Sequence, residues 1–420
     1  MRRTQSTSIA MLFSILILSL VQAAELQPSD LDLPWPISTN GVYLNCTKSV
    51  ASRYSVARRG RDSPSAFSTG GVDHWELPMI EPMNATGGEQ WEFDGVANDG
   101  RDAFIFGFYR DPNYGFMGAG NLRSYAEFVF ANGSHYAVVD YAEQATVEAC
   151  SGPGGATRGV WQGKGFRYEF IVSEDMRHVS IAMDTADVQV RVDMNSVAPP
   201  RYADNAIWPS QTGSALTVTH FYWVEPVPAA NLTFHAVVNQ RSVSWTGMGG
   251  HERLWGAFNW YTCLASLVAV KFRAGPYALS FLELGSGLEE GLRVPSVLLA
   301  RDGIKIAATR RTQPSDVEDY MEIRKLYGGV GATTEHLEDK VTGMEVRVFS
   351  PSQKKEWRFT VEHVKMLFEY ILGEGVGGTA YSGLARGGEI GSRHEWDGPA
   401  FTEIMRMPKK SWLLHKNYRE

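Results

Sequence analysis

Cysteine, positive charge and long apolar runs are all scarce in this chain, and each shortage closes off a class of protein. Only Cys46, Cys150 and Cys263 occur in 420 residues, so at most one internal disulfide can form and a disulfide-stapled scaffold is excluded. Forty Lys and Arg face 47 Asp and Glu, a net charge of −7, which excludes a highly basic nucleic-acid binder. After residue 23 nothing approaches the roughly 20 consecutive apolar residues that a membrane helix needs. Familiar catalytic signatures are missing too: there is no Gly-x-Ser-x-Gly elbow, His-Glu-x-x-His helix, Gly-Lys-Ser/Thr phosphate loop or Cys-x-x-Cys pair. Gly373 to Gly378 has Gly-x-Gly-x-x-Gly spacing, but it follows a helix-like segment and reads as a loop, not a dinucleotide site.

What the chain has in quantity is aromatic and glycine residues: 12 Trp, 17 Tyr, 20 Phe and 42 Gly. Aromatic and β-branched residues favour half-buried pleated surfaces and Gly supplies turns, so an all-β protein with a hydrophobic cavity is the leading expectation. Short apolar runs bounded by turn residues support it. Phe104 to Tyr109 lies between Asp-Gly-Arg-Asp and Arg-Asp-Pro-Asn, and similar segments recur from Leu122 to Val238 and again from Tyr277 to Val361. Only Gln313 to Tyr327 and Val361 to Leu372 carry helical spacing. The expected architecture is therefore two antiparallel β-domains of roughly equal size, each a barrel or sandwich, with few short helices, which the resemblance described below makes lipocalin-like. Glu225-Pro226-Val227-Pro228-Ala229-Ala230 is the linker candidate, because proline removes ladder donors and stiffens the chain; it divides an N-terminal β-domain, 24–230, from a C-terminal barrel, 231–420.

The first 23 residues read as a secretory signal peptide. Arg2 and Arg3 precede an apolar run from Ile9 to Val21, and Val21-Gln22-Ala23 offers a small-residue cleavage site; a retained signal anchor is the competing reading. Routing through the secretory pathway agrees with sequons at Asn45, Asn84, Asn132 and Asn231. Asn132-Gly133 sits between two alternating runs, at what reads as a hairpin tip. Cys263 lies in the apolar run Phe258 to Val270 and reads as a small buried hydrophobe, leaving Cys46 with Cys150 as the favoured pair if a bridge forms.

Three blocks concentrate chemistry. The first, Gly88-Glu89-Gln90-Trp91-Glu92-Phe93-Asp94-Gly95, sets three carboxylates around two aromatics; a carboxyl buried beside Trp91 would have a raised pKa and serve as proton donor. The second runs from Gly247 to Trp260 and gathers His251, Glu252, Arg253, Trp255, Asn259 and Trp260 beside a Gly-rich bend. In a strand, His251, Arg253 and Trp255 share one face and Glu252 takes the other, so the first set can grip a polar head group and stack on a conjugated chain. The competing reading makes Glu252 and Arg253 a surface pair and the Trp residues core. The third block is Arg393-His394-Glu395-Trp396-Asp397-Gly398-Pro399, followed by Phe401-Thr402-Glu403; two or three unconnected residues define no metal site, so no metal is expected.

These blocks, with Arg301-Asp302-Gly303 after a strand and Gly398-Pro399-Ala400-Phe401-Thr402-Glu403, carry a resemblance. From about Asn84 to its end the chain resembles the lipocalin-like proteins that include bacterial hydroxyneurosporene hydratases and the fungal Diels-Alderases of decalin and cytochalasan biosynthesis. The hydratase branch shows Asp-His-x-Trp-Gly in the central block, whereas this chain has Gly250-His251-Glu252-Arg253-Leu254-Trp255-Gly256. That departure, with the signal peptide and sequons, favours the fungal branch, and its cytochalasan-type members in particular. The resemblance implies an intramolecular Diels–Alder reaction on a polyene tethered to a pyrrolinone, made by a hybrid polyketide synthase and peptide synthetase. The product would be a macrocycle fused to an isoindolone.

A concerted cycloaddition needs no redox cofactor, metal or covalent nucleophile, so no cofactor is expected. It needs a shaped apolar cavity that holds diene against dienophile, and a hydrogen-bond donor to the carbonyl conjugated with the dienophile. His251, Arg253 and Asn259 are the candidate donors; Glu89, Trp91, Tyr222, Trp223, Trp255 and Trp260 are the candidate substrate-binding residues. The partner that the resemblance implies is a small apolar polyketide-peptide, with no nucleic acid and no stable membrane insertion expected after signal cleavage. A lipocalin-like carrier of an apolar metabolite and a hydratase of a polyene double bond are the two alternatives.

Overall fold

The computed structural model describes residues 31–33, 45–53, 66–67, 75–81, 87–111, 121–256 and 260–408. The signal-peptide reading, Asn84 and Asn259 lie outside them. Period-two alternation dominates, and the chain is almost entirely strand. The first part forms β1 (Asn45–Ser52), β2 (Ala66–Phe67), β3 (Ile80–Glu81), β4 (Gly88–Ala97), β5 (Ala103–Arg110), β6 (Leu122–Val129), β7 (His135–Tyr141), β8 (Gln144–Ser151), β9 (Ala156–Gly163), β10 (Phe166–Ser173), β11 (His178–Thr185), β12 (Val188–Ser196), β13 (Arg201–Tyr202), β14 (Phe221–Val238) and β15 (Arg241–Gly256). After one helical turn, α1 (Trp260–Cys263), come β16 (Leu264–Ala274), β17 (Tyr277–Ser286), β18 (Arg293–Arg301), β19 (Ile304–Thr309), β20 (Tyr320–Tyr327), β21 (Val341–Ser350), β22 (Lys355–Gly373), β23 (Val376–Glu389) and β24 (Trp396–Arg406).

All pairings are antiparallel between these strands and make two large sheets. The first runs β1-β8-β9-β10-β11-β12-β14-β15-β4-β5-β6-β7, with β13 beside β14, and curls into a half-barrel. The second runs β19-β18-β17-β16-β24-β23-β22-β21-β20 and nearly closes into a barrel. Each sheet wraps its own apolar core: Trp91, Phe93, Phe106, Phe108, Trp161 and Phe170 in the first, Phe272, Phe281, Trp357 and Phe359 in the second. The all-β expectation holds, with α1 and a single 3-10 turn at Pro351–Gln353 as the helical content of the described residues.

A third packing layer joins the two sheets. The outer face of β4, β14 and β15 is covered by the outer face of β16, β17 and β24, through Trp223, Leu254, Leu267, Leu282 and Met405 on one flank and Ile105, Met248, Phe368 and Phe401 on the other. All ten residues of β4 are therefore buried, the signature of a strand covered on both faces. Polar ties close the seam: Lys365 Nζ donates to the carbonyls of Phe130 and Ala131, and Ser382 Oγ to that of Gly100.

Two expectations are corrected. Gln313 to Tyr327 and Val361 to Leu372 are not helical: the first is loop leading into β20, the second lies in β22. Strand β22 shifts register at His363/Lys365, Met366/Phe368 and Ile371/Gly373. Each bulge resets the alternation, so the apolar spacing imitates a helical period while the backbone stays extended. The Pro-rich segment 225–230 is no linker either, because it lies inside β14. Its prolines fall where the β14–β15 register shifts, between Val224 and Val227 and between Val227 and Ala230, so the missing N–H groups interrupt only irregular stretches of the ladder. The passage from one sheet to the other comes after Gly256. Cys46 and Cys150 form a disulfide between β1 and β8, and Cys263 is buried outside it. The hairpin at Asn132-Gly133 forms, with Gly133 at φ +85°. No helix among the described residues is long and apolar enough to cross a membrane.

Candidate functional site

The two faces of β4 and β15 hold different chemistry. On the inner face, His251 stacks on Phe93 with ring centroids 4.0 Å apart; its Nδ1 meets the Glu92 carbonyl at 2.8 Å and its Nε2 the Glu76 carboxylate at 3.0 Å. Arg253 donates to the carbonyls of Trp75, Leu77 and Gln90 and to Glu89, and lies 3.8 Å over the Trp91 ring. Glu89 is held by Arg110 as well, at 2.9 Å. Trp255 stacks on Tyr222 on this same side. His251 meets Glu76, Arg253 donates to the carbonyls of Trp75 and Leu77, and Glu89 accepts the Met79 N–H, so this cluster pins residues 75–81 onto the first sheet. The structure thus brings His251, Arg253, Glu89, Trp91, Tyr222 and Trp255 together, but inside the first sheet and away from the junction cavity.

The outer face carries Gln90, Glu92, Asp94, Gly250, Glu252 and Leu254. Between it and the second sheet lies a cavity of about 480 Å³, with Glu92, Glu252 and Glu403 in its lining and Ile105, Leu254, Trp260, Leu267, Phe368 and Met405 among its apolar walls. Two cavities of about 670 Å³ lie elsewhere, one beside Trp75 and Trp208 and one at the mouth of the second barrel beside Phe281 and Met344. Neither brings several buried ionisable groups together, and the junction cavity does. Glu92, Glu252 and Glu403 come one from each of the three sequence blocks.

Burial is the first cause of the state of all three carboxyls: taken out of water, each favours the neutral acid. Glu92 is raised well above the ordinary range by burial and by repulsion from Glu403 and Glu252. Glu403 is pushed up to about 8 by burial and by the nearby Glu252. Glu252 is also raised by burial, but Lys271 opposes this most strongly and the Trp223 indole N–H, 3.0 Å from Glu252 Oε2, adds to the opposition. Lys271 Nζ lies 2.7 Å from Asp94, 3.6 Å from Glu252 and 3.9 Å from Glu225, and these acids hold it protonated. Glu225 is paired in turn with Arg201 at 2.7 Å. Glu127 on β6 also lines the cavity; burial pushes it up to about 8, and His135 Nε2 stands 2.5 Å away.

Of the residues singled out in sequence, Trp260 lines the cavity and Trp223 supports Glu252 from behind. The carboxyls facing the cavity were in view within the three blocks, but on the opposite parity from the set chosen for donors. Tyr109, Arg123 and Glu127 were missed as cavity residues; Arg123 lies 3.9 Å over the Tyr109 ring. Strands β5 and β6 read as plain alternation, with nothing to mark their outer face as half covered.

A two-sheet, lipocalin-like β protein with an acid-lined ligand cavity at the sheet junction is the class that this geometry defines. The model of the Diels-Alderase-like family matches residues 48–408, and the chain belongs to that family of enzymes. Diels-Alderase cheD of Chaetomium globosum is 45% identical over 373 residues, 89% of this chain and 86% of that protein. Diels-Alderase ffsF of Aspergillus flavipes is 40% identical over 415 residues, 97% of this chain and 98% of that protein. The fold is that of the crystal structure of CghA with Sch210972, at a TM-score of 0.74 and 20% identity, covering 86% of this chain and 99% of that one.

Proposed function

We propose that the junction cavity catalyses an intramolecular [4+2] cycloaddition on a polyene tethered to a pyrrolinone, in cytochalasan-type secondary metabolism of a fungus. One observation carries this reading: Glu92, Glu252 and Glu403, each raised toward the neutral acid by burial, stand together in the lining of a cavity that has Ile105, Leu254, Leu267, Phe368 and Met405 among its walls. The apolar walls fold the chain so that diene and dienophile meet, which removes much of the entropic barrier. A neutral carboxyl such as that of Glu403 donates a hydrogen bond to the carbonyl conjugated with the dienophile. Charge that builds on that oxygen in the transition state is stabilised in a site shielded from water. No proton leaves the substrate and no covalent bond to the protein forms. The relatives named Diels-Alderases support the reaction class.

Recombinant protein is expected to convert a linear polyenyl pyrrolinone to one stereoisomer, at a rate that a chelator leaves unchanged. Return of the ligand intact would favour a carrier, and incorporation of labelled water a hydratase. The same proposal places the protein in the secretory pathway after signal cleavage, with glycans at Asn45, Asn84, Asn132 and Asn231. Asn45, Asn132 and Asn231 are exposed, which an acceptor asparagine requires. An endoglycosidase-sensitive mobility shift of protein from a fungal host tests that part.

A further inference from the structure

Two of the cavities share a wall. Among the described residues, Met405 and Met407 at the end of β24 line both the junction cavity and the cavity of about 670 Å³ at the mouth of the second barrel. The barrel cavity has apolar walls of its own, with Val268, Phe281, Ile323, Met344 and Ile404 among them. Charges at its rim are largely spent on one another: Arg293 lies 3.2 Å from Glu283 and Lys325 Nζ 2.5 Å from Asp339, while Glu338 and Arg406 are exposed. Two spaces suited to an apolar chain are thus divided by unbranched thioether side chains, which change shape more readily than branched or aromatic ones.

The divider is held by a construction that spans three strands. Tyr370 on β22 pairs with Gly378 on β23, and Gly378 with Met405 on β24, so the three positions face the same side of the sheet. The Tyr370 hydroxyl donates to Met405 Sδ at 3.1 Å. It reaches that far because Gly378 has no side chain: a Cβ there would stand 2.2 Å from Tyr370 Cζ and Oη. Gly378 does not have a positive φ, so the ring above it, not the backbone, demands glycine. Met405 is 7% exposed and Tyr370 39%, so the inner member is enclosed while the outer one has solvent to swing into. The neighbouring Glu369 fastens the frame around them. Its carboxylate accepts the N–H groups of His336 and Leu337 at 2.9 and 2.8 Å, and Leu337 lines the barrel cavity as Glu369 lines the junction cavity.

We infer that the barrel cavity is a second subsite, for the distal end of an unbranched apolar chain seated in the junction cavity, and that Met405 partitions the two and limits the chain length the protein accepts. Tyr370 and Gly378 are positioning residues for Met405. A chain that fills the junction cavity stops at the thioether. A longer one has to break the Tyr370–Met405 contact and displace that side chain before its end enters the barrel. The occupant of the subsite is uncharged, because apolar walls do not hold an unpaired charge. The inference rests on the junction cavity as the substrate site proposed above, and adds chain length to what that site selects.

The test uses the full chain and two series that grow by two methylenes at a time: polyenyl pyrrolinones, which can cyclise, and saturated acyl pyrrolinones, which cannot. Binding of the saturated series is read by quenching of Trp fluorescence, since Trp260 lines the junction cavity. In the wild type, affinity is expected to rise about fourfold for each added methylene up to a limiting length and then to level off. In Met405→Ala the rise is expected to continue past that length, and the ratio of kcat/KM for the longest chain to that for the limiting chain to increase at least tenfold. Met405→Leu, which keeps the bulk, should retain the wild-type limit. Gly378→Ala, at a position that lines neither cavity, should extend the limit as well, because the displaced Tyr370 ring releases Met405. A residue that only fills the core would alter stability or overall affinity without moving the limit. An unmoved limit in folded Met405→Ala and Gly378→Ala proteins, or a wild-type affinity that never levels off, overturns the inference and leaves the proposed function standing. A limit that moves as expected while no polyene cyclises supports the subsite and overturns the reaction. Binding of neither series overturns both.

Discussion

The inner and outer faces of β15 carry ionisable residues at equal depth, yet they do opposite things. On the inner face Arg253 is fully buried, and burial lowers its pKa to about 10, but each of its donors meets a carbonyl or Glu89. On the outer face Glu252 is as deeply buried and borders a cavity. Burial and a shifted pKa are common to both faces, so neither identifies the site. The distinguishing property is capacity left over: the inner cluster spends its hydrogen bonds on the protein, whereas the wall of Glu92, Glu252 and Glu403 keeps acid groups facing space that a substrate can fill.

Breaking the inner face should cost the fold. Arg253→Met removes the donors to the carbonyls of Trp75, Leu77 and Gln90 and leaves Glu89 with Arg110 and the Met79 N–H, and removal of one partner of a buried pair typically costs about 3–5 kcal/mol. A lowered denaturant midpoint is expected, and an unchanged one would refute the structural role. Breaking the outer face should cost the reaction and spare the fold. Glu403→Met removes the donor but fills the space, so kcat is expected to fall by roughly 100-fold, the scale of losing one transition-state hydrogen bond. Its melting temperature should stay level or rise, because a buried acid without a cation partner stabilises little. A Glu403→Met protein that melts early and turns over normally would reverse the assignment of the two faces.

The sequence made much of this readable and hid the rest for identifiable reasons. Alternation and turn residues were enough for the all-β class, and the three blocks that meet at the cavity stood out by composition. Their working face did not. Strand β4 and the part of β15 from Gly247 on are buried on both sides, so polarity no longer marks which parity faces the outside, and charged residues sit on both: Glu89, His251 and Arg253 on one, Glu92, Asp94 and Glu252 on the other. Lys271 lies in an otherwise apolar stretch of β16 and Arg201 in a Pro-rich connection, and their bearing on Glu252 depends on how the two sheets dock. The bulges of β22 and the prolines of β14 are local irregularities that imitate a helix and a linker, and only the ladder around them shows otherwise.

The two faces should also differ in their response to pH. Glu403 titrates near 8 when folded and near 4.5 in the unfolded chain. Between those values the folded protein holds a proton that the unfolded chain has released, so stability is fully present below about 4.5 and is lost as pH rises through about 8. The donor proposed for the cycloaddition disappears over the upper part of the same interval, so kcat is expected to decline with an apparent pKa near 8. Glu127, pushed up to about 8 by burial, adds to the stability term. Melting temperatures at pH 5 and pH 8.5 should therefore differ less in Glu403→Met than in the wild type. An equal difference would remove Glu403 from the account.

The mildest expected effect comes from a residue with no side chain, and it concerns how closely the two sheets approach. Gly250 lies on the outer face opposite the Lys271–Asp94 pair. A Cβ there would stand 3.2 Å from Asp94 Oδ2, 3.2 Å from Lys271 Cδ and 3.3 Å from Lys271 Nζ. These are ends of side chains, so they can yield by a few tenths of an ångström, and the backbone itself needs no special φ at this position. Gly250→Ala should therefore fold with nearly wild-type stability. The displaced ammonium changes its distance from Glu252, and a several-fold change in kcat/KM is expected with the melting temperature almost constant. Gly249, one residue earlier, faces inward, where a Cβ would meet Leu232 at 2.6 Å and the Asp94 carbonyl at 2.9 Å. Gly249→Ala should then lower stability instead, because backbone and core cannot move aside as the end of a lysine can. If the two alanine variants are alike in both activity and melting temperature, the division of labour between the faces of β15 does not hold.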